Sequence, residues 1–177
     1  MSTYQCLLLW TTTVAVSGGV IADTVQNVPE RGGTLSVVYE NDTFYKRDSH
    51  YTNGVRLSWI PGSSDTPQWA LDVAHAILWF PRHGQVLHGY SFGQNMYTPS
   101  DITLKNPPQG ERPYAGWLYG NVGLGVETGL QLDQVVLTAG MVGPASLAEH
   151  TQKAVHRLVN SDDPKGWDHQ LRNFLVY

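Results

Sequence analysis

Two segments near the start of the chain place an apolar side chain at every second position. The apolar positions are Leu35, Val37 and Tyr39 in residues 34–40, and Val55, Leu57 and Trp59 in residues 52–60. A period of two is typical of β-strands whose two faces differ in polarity. The two segments are therefore predicted to be strands whose apolar face meets either lipid or a core.

Similar but weaker runs predict further strands at residues 88–97, 115–127 and 130–142, the last two joined by a short turn at Thr128-Gly129. Five strands at this spacing predict an all-β meander, with a short amphipathic helix within residues 66–80. Transmembrane strands carry aromatic side chains near the membrane surfaces. Trp59, Tyr97, Trp117 and Tyr119 could be such girdle residues, or equally the core of a soluble sandwich.

Composition supports the all-β interpretation, because 18 Gly, 9 Tyr and 6 Trp stand against only 11 Lys and Arg. The net charge of −4 provides no basic surface for phosphates, which argues against nucleic-acid binding.

Residues 1–22 contain the single cysteine, Cys6, within an apolar segment, and they are predicted to be a signal peptide, with a linker at 23–33. A buried N-terminal strand or helix is the alternative. Beyond residue 22 no stretch approaches the ~20 apolar residues of a spanning helix. Entry into a membrane would therefore require a closed barrel.

The clearest helix inside this β pattern is predicted at residues 147–159. Ser146 and Glu149 have the spacing of a capping box. Gln152 and His156 lie four residues apart and therefore project from one helical face. Taken alone, a helical histidine is more often solvated or part of a core than catalytic.

Oxygen-bearing side chains are concentrated around the end of the first strand and the start of the second. They are Glu40, Asn41, Asp42, Thr43, Asp48, Tyr51, Thr52 and Asn53. Carboxylate, amide and hydroxyl oxygens suit Ca²⁺, although the spacing is not that of an EF-hand. The cluster is either a split calcium site or a solvated acidic turn. No nucleophile elbow, cysteine nucleophile or zinc helix motif is present.

Several blocks, in order along the chain, resemble the lipid A 3′-deacylase (LpxR) family. They are Glu40-Asn41-Asp42, Tyr51-Thr52-Asn53-Gly54, Asn95-Met96-Tyr97-Thr98-Pro99, Glu111-Arg112-Pro113-Tyr114-Ala115-Gly116, Gly143-Pro144-Ala145, Gln152, His156 and Pro164-Lys165-Gly166-Trp167-Asp168. The resemblance implies a monomeric outer-membrane barrel of about twelve antiparallel strands, with residues 34–177 supplying about half. Since open sheet edges are unfavourable in lipid, the chain alone is expected neither to insert stably nor to work.

The resemblance also implies a mechanism like that of secreted phospholipase A2, with Ca²⁺ as cofactor and lipid A in the outer membrane as substrate. His156 would be the general base, assisted by Gln152. The resemblance further implies catalytic roles for Asn41 and Thr52. It implies metal binding by Asp42, Thr52 and Asp162, with Asp163 as a substitute for Asp162. It implies a substrate-binding role for Lys105. The competing functions are a non-catalytic outer-membrane porin or binding protein, and a soluble periplasmic glycan-binding protein.

Overall fold

The computed structural model describes residues 32–41, 53–108 and 110–177. The strands are β1 (Thr34–Asn41), β2 (Asn53–Ile60), β3 (Gln85–Tyr97), β4 (Ala115–Glu127), β5 (Leu132–Val142) and β6 (Phe174–Val176). The two α-helices are α1 (Gln68–Ala76) and α2 (Ala148–Val159). The predicted signal peptide and most of the predicted linker lie outside the described residues.

All six strands form one antiparallel sheet in the order β1 to β6, with β1 and β6 at its edges. The predicted antiparallel meander is thus confirmed, as an open sheet. At one end, which we call the turn end, residues 128–131 join β4 to β5, and the Thr128 amide donates to the Gln131 carbonyl at 2.9 Å. At the other end, the loop end, long segments follow β1, β3 and β5.

The two faces of the sheet differ sharply in polarity. The register places polar side chains in cross-strand rows on one face, the polar face, which carries Ser36, Glu40, Arg56, Ser58, Ser91, Asn95, Asn121 and Thr138. The opposite, apolar face carries Leu35, Val37, Tyr39, Val55, Leu57, Trp59, Tyr90, Phe92, Val122 and Leu137, which are 40% to 69% exposed. A continuous exposed apolar surface of this extent marks a protein or membrane contact.

The register corrects the prediction about girdle aromatics. Trp59 lies on the apolar face, as that prediction requires. Tyr97, Trp117 and Tyr119 belong to the polar face instead, where the Trp117 and Tyr119 rings lie 4.4 Å apart and Tyr119 covers Gly93. Both faces of β4 carry apolar side chains, so only the pairing with β3 distinguishes them.

Both helices pack on the apolar face, at opposite ends of the sheet. Helix α1, within the predicted 66–80 segment, buries Ala70 and Ala74 against Leu124 and Val126 at the turn end. Helix α2 packs at the loop end, where Ala148 joins a buried cluster with Met96, Tyr114 and Trp167. Among the described residues, no helix is both long and apolar enough to cross a membrane.

Most predicted boundaries agree with the structure, and β4 agrees at both ends. Strand β3 begins at Gln85, three residues before the predicted start, because Val86 packs against the core under α1. Strand β5 begins at Leu132, because Leu130 lies in the turn and is 98% exposed. The three-residue β6, which pairs with the end of β5, was not predicted.

Candidate active site

The start of α2 is fixed against the sheet by a glycine and a buried serine. A Cβ atom at Gly116 would overlap the Ser146 hydroxyl and the Ala148 Cβ, so only glycine allows this approach. The Gln94 side-chain amide, itself buried, donates to the Ser146 carbonyl at 2.7 Å. Gln94 and Gly116 both belong to the apolar face. Helix α2 therefore packs on the apolar face of the sheet and not on its polar face.

The predicted capping box at the start of α2 is wrong. The Ser146 hydroxyl donates to the Gly143 carbonyl at 2.6 Å, closing a turn that precedes the helix. Leu147, at φ 60°, occupies the N-cap position without a side-chain cap. Glu149 accepts a hydrogen bond from the Lys153 ammonium at 2.7 Å instead, and this bond raises the pKa of Lys153.

The end of α2 holds the His156 imidazole in one orientation. Asn160 adopts the left-handed conformation at φ 54°, and the Ser161 amide donates to the His156 carbonyl at 2.9 Å. The chain then turns so that the Asp162 main-chain carbonyl meets His156 Nδ1 at 2.5 Å. A carbonyl oxygen only accepts hydrogen bonds, so Nδ1 carries the hydrogen and the neutral ring keeps its lone pair on Nε2.

His156 lines an open cavity of about 370 Å³ together with Lys153, Arg157, Ser161 and Asp163. Asp162, which the sequence suggested as a metal ligand or as the partner of His156, meets the ring through its backbone. Its neighbour Asp163, named only as a substitute, is the acidic residue that lines the cavity. The arrangement therefore combines a base, two cations and a carboxylate in one accessible space.

Gln152, one turn before His156, lies in the protein interior rather than in this cavity. Its side chain is 4% exposed, and its carbonyl oxygen accepts a hydrogen bond from the Trp167 indole at 2.7 Å. Trp167 is 1% exposed and packs on Tyr114, with ring centroids 4.9 Å apart. Burial raises the pKa of Tyr114. Gln152 thus attaches α2 to the segment that follows it.

That segment is in turn attached to the loop between β3 and β4. The Tyr114 hydroxyl donates to the Ile102 carbonyl at 3.1 Å, and the Lys165 amide donates to the same oxygen at 2.9 Å. In the same loop, the Asp101 carboxylate accepts two hydrogen bonds from Thr103, which lower the pKa of Asp101. α2 and this loop are therefore connected through one buried aromatic pair.

Lys105, the predicted substrate-binding residue, lies in this β3–β4 loop. Its ammonium is 3.9 Å from the Asp168 carboxylate, and both side chains are about 70% exposed. An exposed pair at this distance contributes little to stability. The lysine therefore remains accessible to an anionic ligand, and its substrate-binding role stays a prediction.

The described residues of the oxygen-rich cluster, Glu40, Asn41 and Asn53, lie at the loop end of the sheet, and Asn41 and Asn53 share a cross-strand row with Gly116, beside the start of α2. The register pairs Asn41 with Asn53, Asn53 with Met96, and Met96 with Gly116, against which Ala148 packs. At a strand spacing of 4.7–4.9 Å, three strand-to-strand steps separate Asn41 from Gly116 by about 14 Å. The row brings the end of β1 and the start of α2 to the same end of the sheet.

Two predicted metal-binding residues, Asp42 and Thr52, lie outside the described residues. Within residues 32–41, 53–108 and 110–177, no group of three or more His, Cys, Asp or Glu could hold a metal ion. The amide, carboxylate and hydroxyl oxygens of Asn41, Asp42 and Thr52 are nevertheless the donor types that Ca²⁺ takes. Of the three predicted ligands, Asp162 meets His156 through its main-chain carbonyl, and Asp42 and Thr52 lie outside the described residues, so the calcium site stays a prediction.

Sequence reasoning gave no role to Lys153, Arg157, Ser161 or Trp167. Lys153 precedes His156 by three residues on one helix, so helical geometry alone could have placed them side by side. Trp167 lies within a block that resembled the family, but no periodic signal connects it to Gln152.

A family model described as "Outer membrane protein LpxR" matches residues 6–177. This chain belongs to the LpxR family. The solved structure of LpxR from Salmonella typhimurium resembles it with a TM-score of 0.58 at 15% sequence identity, covering 81% of this chain and 47% of that one. The chain thus spans about half the length of that LpxR. No curated protein sequence matches the chain.

Proposed function

We propose that this chain is part of an outer-membrane lipid A deacylase, which hydrolyses the ester that links the 3′-acyloxyacyl chain to lipid A. Membership of the LpxR family supports the protein class and the location. The observation that carries the proposed chemistry is the orientation of His156, whose Nδ1 is engaged by the Asp162 carbonyl and whose ring lines an open cavity.

In the proposed reaction, Nε2 of His156 removes a proton from water, and the resulting hydroxide attacks the ester carbonyl. The imidazolium then transfers that proton to the departing sugar oxygen, so that ester and water become a fatty acid and an alcohol. The Asp162 carbonyl accepts the Nδ1 hydrogen throughout and stabilises the positive charge on the ring. Ca²⁺, held by Asn41, Asp42 and Thr52, would supply positive charge to the carbonyl oxygen.

Cations beside the base suit the phosphates of lipid A. Lys153 and Arg157 line the cavity with His156, and Lys105 lies in the neighbouring β3–β4 loop. Glu149 and Asp168 partly compensate Lys153 and Lys105 in the absence of substrate. A bound phosphate would compete with those carboxylates for the ammonium groups.

The placement of the helix suits a substrate that lies in the membrane. Bacterial barrels join their strands by short turns on the periplasmic side and by long loops on the outer side. Three long segments follow strands at the loop end, whereas the turn end has one four-residue turn and the segment 61–84 that contains α1. The loop end is therefore assigned to the outer side, and α2 packs there on the apolar face. The base would thus lie on the lipid side of the barrel wall, where the acyl chains of lipid A are.

The test joins this chain to the C-terminal half of Salmonella LpxR, so that the barrel can close, in a Gram-negative host. Mass spectra of lipid A should show loss of the 3′-acyloxyacyl chain, and a calcium chelator should suppress it in isolated membranes. His156→Gln should lower the rate by about 10²–10⁴-fold, whereas the matched control His150→Gln, exposed on the same helix, should not. Unchanged lipid A with the parent fusion would favour a non-catalytic barrel.

A further inference from the structure

Helix α1 presents a second apolar surface that the reaction does not use. The helix buries one side against the apolar face of the sheet at the turn end. On its other side and just after its end, large apolar side chains point away from the protein: Trp69, Val73, Leu78 and Trp79 are 42%, 44%, 83% and 70% exposed. The free side of α1 therefore carries the exposed apolar side chains Trp69 and Val73 beside the exposed polar pair of Gln68 and Asp72, whose side chains hydrogen-bond at 2.9 Å.

This surface is continuous with the apolar face of the sheet. The Trp69 ring meets the His88 ring edge-on at 6.0 Å, and His88 meets Tyr90 edge-on at 5.6 Å. His88 is 6% exposed, so the imidazole lies beneath the helix, while Tyr90 belongs to the exposed apolar face. Contacting aromatic rings therefore extend from Tyr90 on β3 through His88 to Trp69 on α1.

One cationic side chain, that of Arg82, follows shortly after the helix. Arg82 is exposed, and its guanidinium donates to the carbonyl of His75 in the last turn of α1 at 2.5 Å, which holds it near Leu78 and Trp79. Helices with Trp and Leu on one side and a nearby cation typically lie in the membrane interface, with the apolar side among the upper acyl chains. Trp side chains prefer the same region.

We propose that α1 and residues 77–79 form an interfacial foot, embedded among the headgroups and upper acyl chains of the glycerophospholipid leaflet at the turn end. The occupant is a phospholipid leaflet because the proposed outward orientation of the loop end leaves the turn end on the periplasmic side. Residues 61–84, which join β2 to β3 at the turn end and contain α1, are much longer than an ordinary periplasmic turn. The inference rests on the outer-membrane location in the proposed function, but it does not depend on the deacylation chemistry. The foot would fix the depth of the sheet in the membrane from the side opposite α2.

The test measures membrane contact at two leucines of the closed-barrel fusion, in which Cys6→Ser removes the single cysteine of this chain and any cysteine of the C-terminal half is also replaced by serine. Leu78→Cys and the matched control Leu130→Cys, both at the turn end, are each labelled with an environment-sensitive fluorophore. Leu130 is 98% exposed in the β4–β5 turn and should lie in water. The labelled chains are reconstituted into phosphatidylethanolamine–phosphatidylglycerol vesicles, with or without brominated acyl chains.

We expect the label at Leu78 to shift to shorter wavelength and to be quenched by brominated lipid at least twice as strongly as the label at Leu130. Both labels are on exposed side chains, so neither substitution disturbs packing. Equal quenching at the two sites, or none at Leu78, would overturn the proposal. Deacylation by the same fusion is measured separately from lipid A mass spectra, so a fusion that is quenched but inactive would refute only the proposed function.

Discussion

Replacing Trp167 with phenylalanine should loosen α2 from the sheet. The substitution keeps an aromatic ring beside Tyr114 but removes the indole donor, which leaves the buried Gln152 carbonyl oxygen without its 2.7 Å hydrogen bond. A buried acceptor left unsatisfied costs about 1–3 kcal/mol. Because 1.4 kcal/mol is about a factor of ten, local opening of α2 should become roughly 5- to 140-fold more frequent.

Amide hydrogen exchange of α2 (Ala148–Val159), measured by mass spectrometry on the closed-barrel fusion in detergent micelles, reports this opening directly. Exchange in α2 should accelerate within that range, while exchange in β3 and β4 stays unchanged. Trp79→Phe makes the same chemical change at a 70% exposed site and should leave α2 unaffected. If α2 exchanged equally fast in Trp167→Phe and the parent, the hydrogen bond would not be what attaches the helix.

The double variant Gln152→Leu/Trp167→Phe sharpens this test. Removing both polar partners abolishes the unsatisfied acceptor, so part of the lost protection should return. An additive effect of the two substitutions would show that the pair is not coupled.

Three further outcomes follow from the site and its supports. Asp42→Ala should raise the Ca²⁺ concentration needed for half-maximal deacylation in the closed-barrel fusion, and an unchanged requirement would argue against Asp42 as a ligand. Gly116→Val should detach the start of α2, seen as faster amide exchange there, because its side chain would overlap Ser146 and Ala148, whereas Gly120→Val on the same face should not. Thr103→Val removes the hydroxyl donor and should raise the lowered pKa of the Asp101 carboxyl toward its ordinary value, which an NMR titration measures. The stabilisation that the substitution removes is present at neutral pH and is lost as the pH falls through the folded-state pKa of Asp101.

The strands were predictable because each repeats a local signal. Alternation at Leu35, Val37 and Tyr39 reports a two-faced strand without any knowledge of its neighbours. The same pattern could not say whether the apolar face meets lipid or a core. That required the sheet, in which those three side chains remain 59% to 69% exposed.

Features that depend on distant partners were not predictable. Ser146 and Glu149 have capping-box spacing, but the serine hydroxyl bonds Gly143 because the turn before α2 is fixed by contact with Gly116. Likewise, Gln152 and His156 share a helical face by spacing. Only Trp167, fifteen residues after Gln152, shows that the glutamine side chain belongs to the interior.

In the proposed active site, the imidazole of His156 lies beside a metal ion held by the oxygen-bearing residues at the end of β1 and the start of β2. NMR of the closed-barrel fusion with ¹³C-labelled histidine, titrated with Gd³⁺ in place of Ca²⁺, tests this most directly, with the His156 signal assigned from its loss in His156→Gln. One equivalent of Gd³⁺ should broaden the His156 signal much more than that of His150, and Asp42→Ala should abolish the difference. A His156 signal that stays sharp while Gd³⁺ is bound would contradict the account.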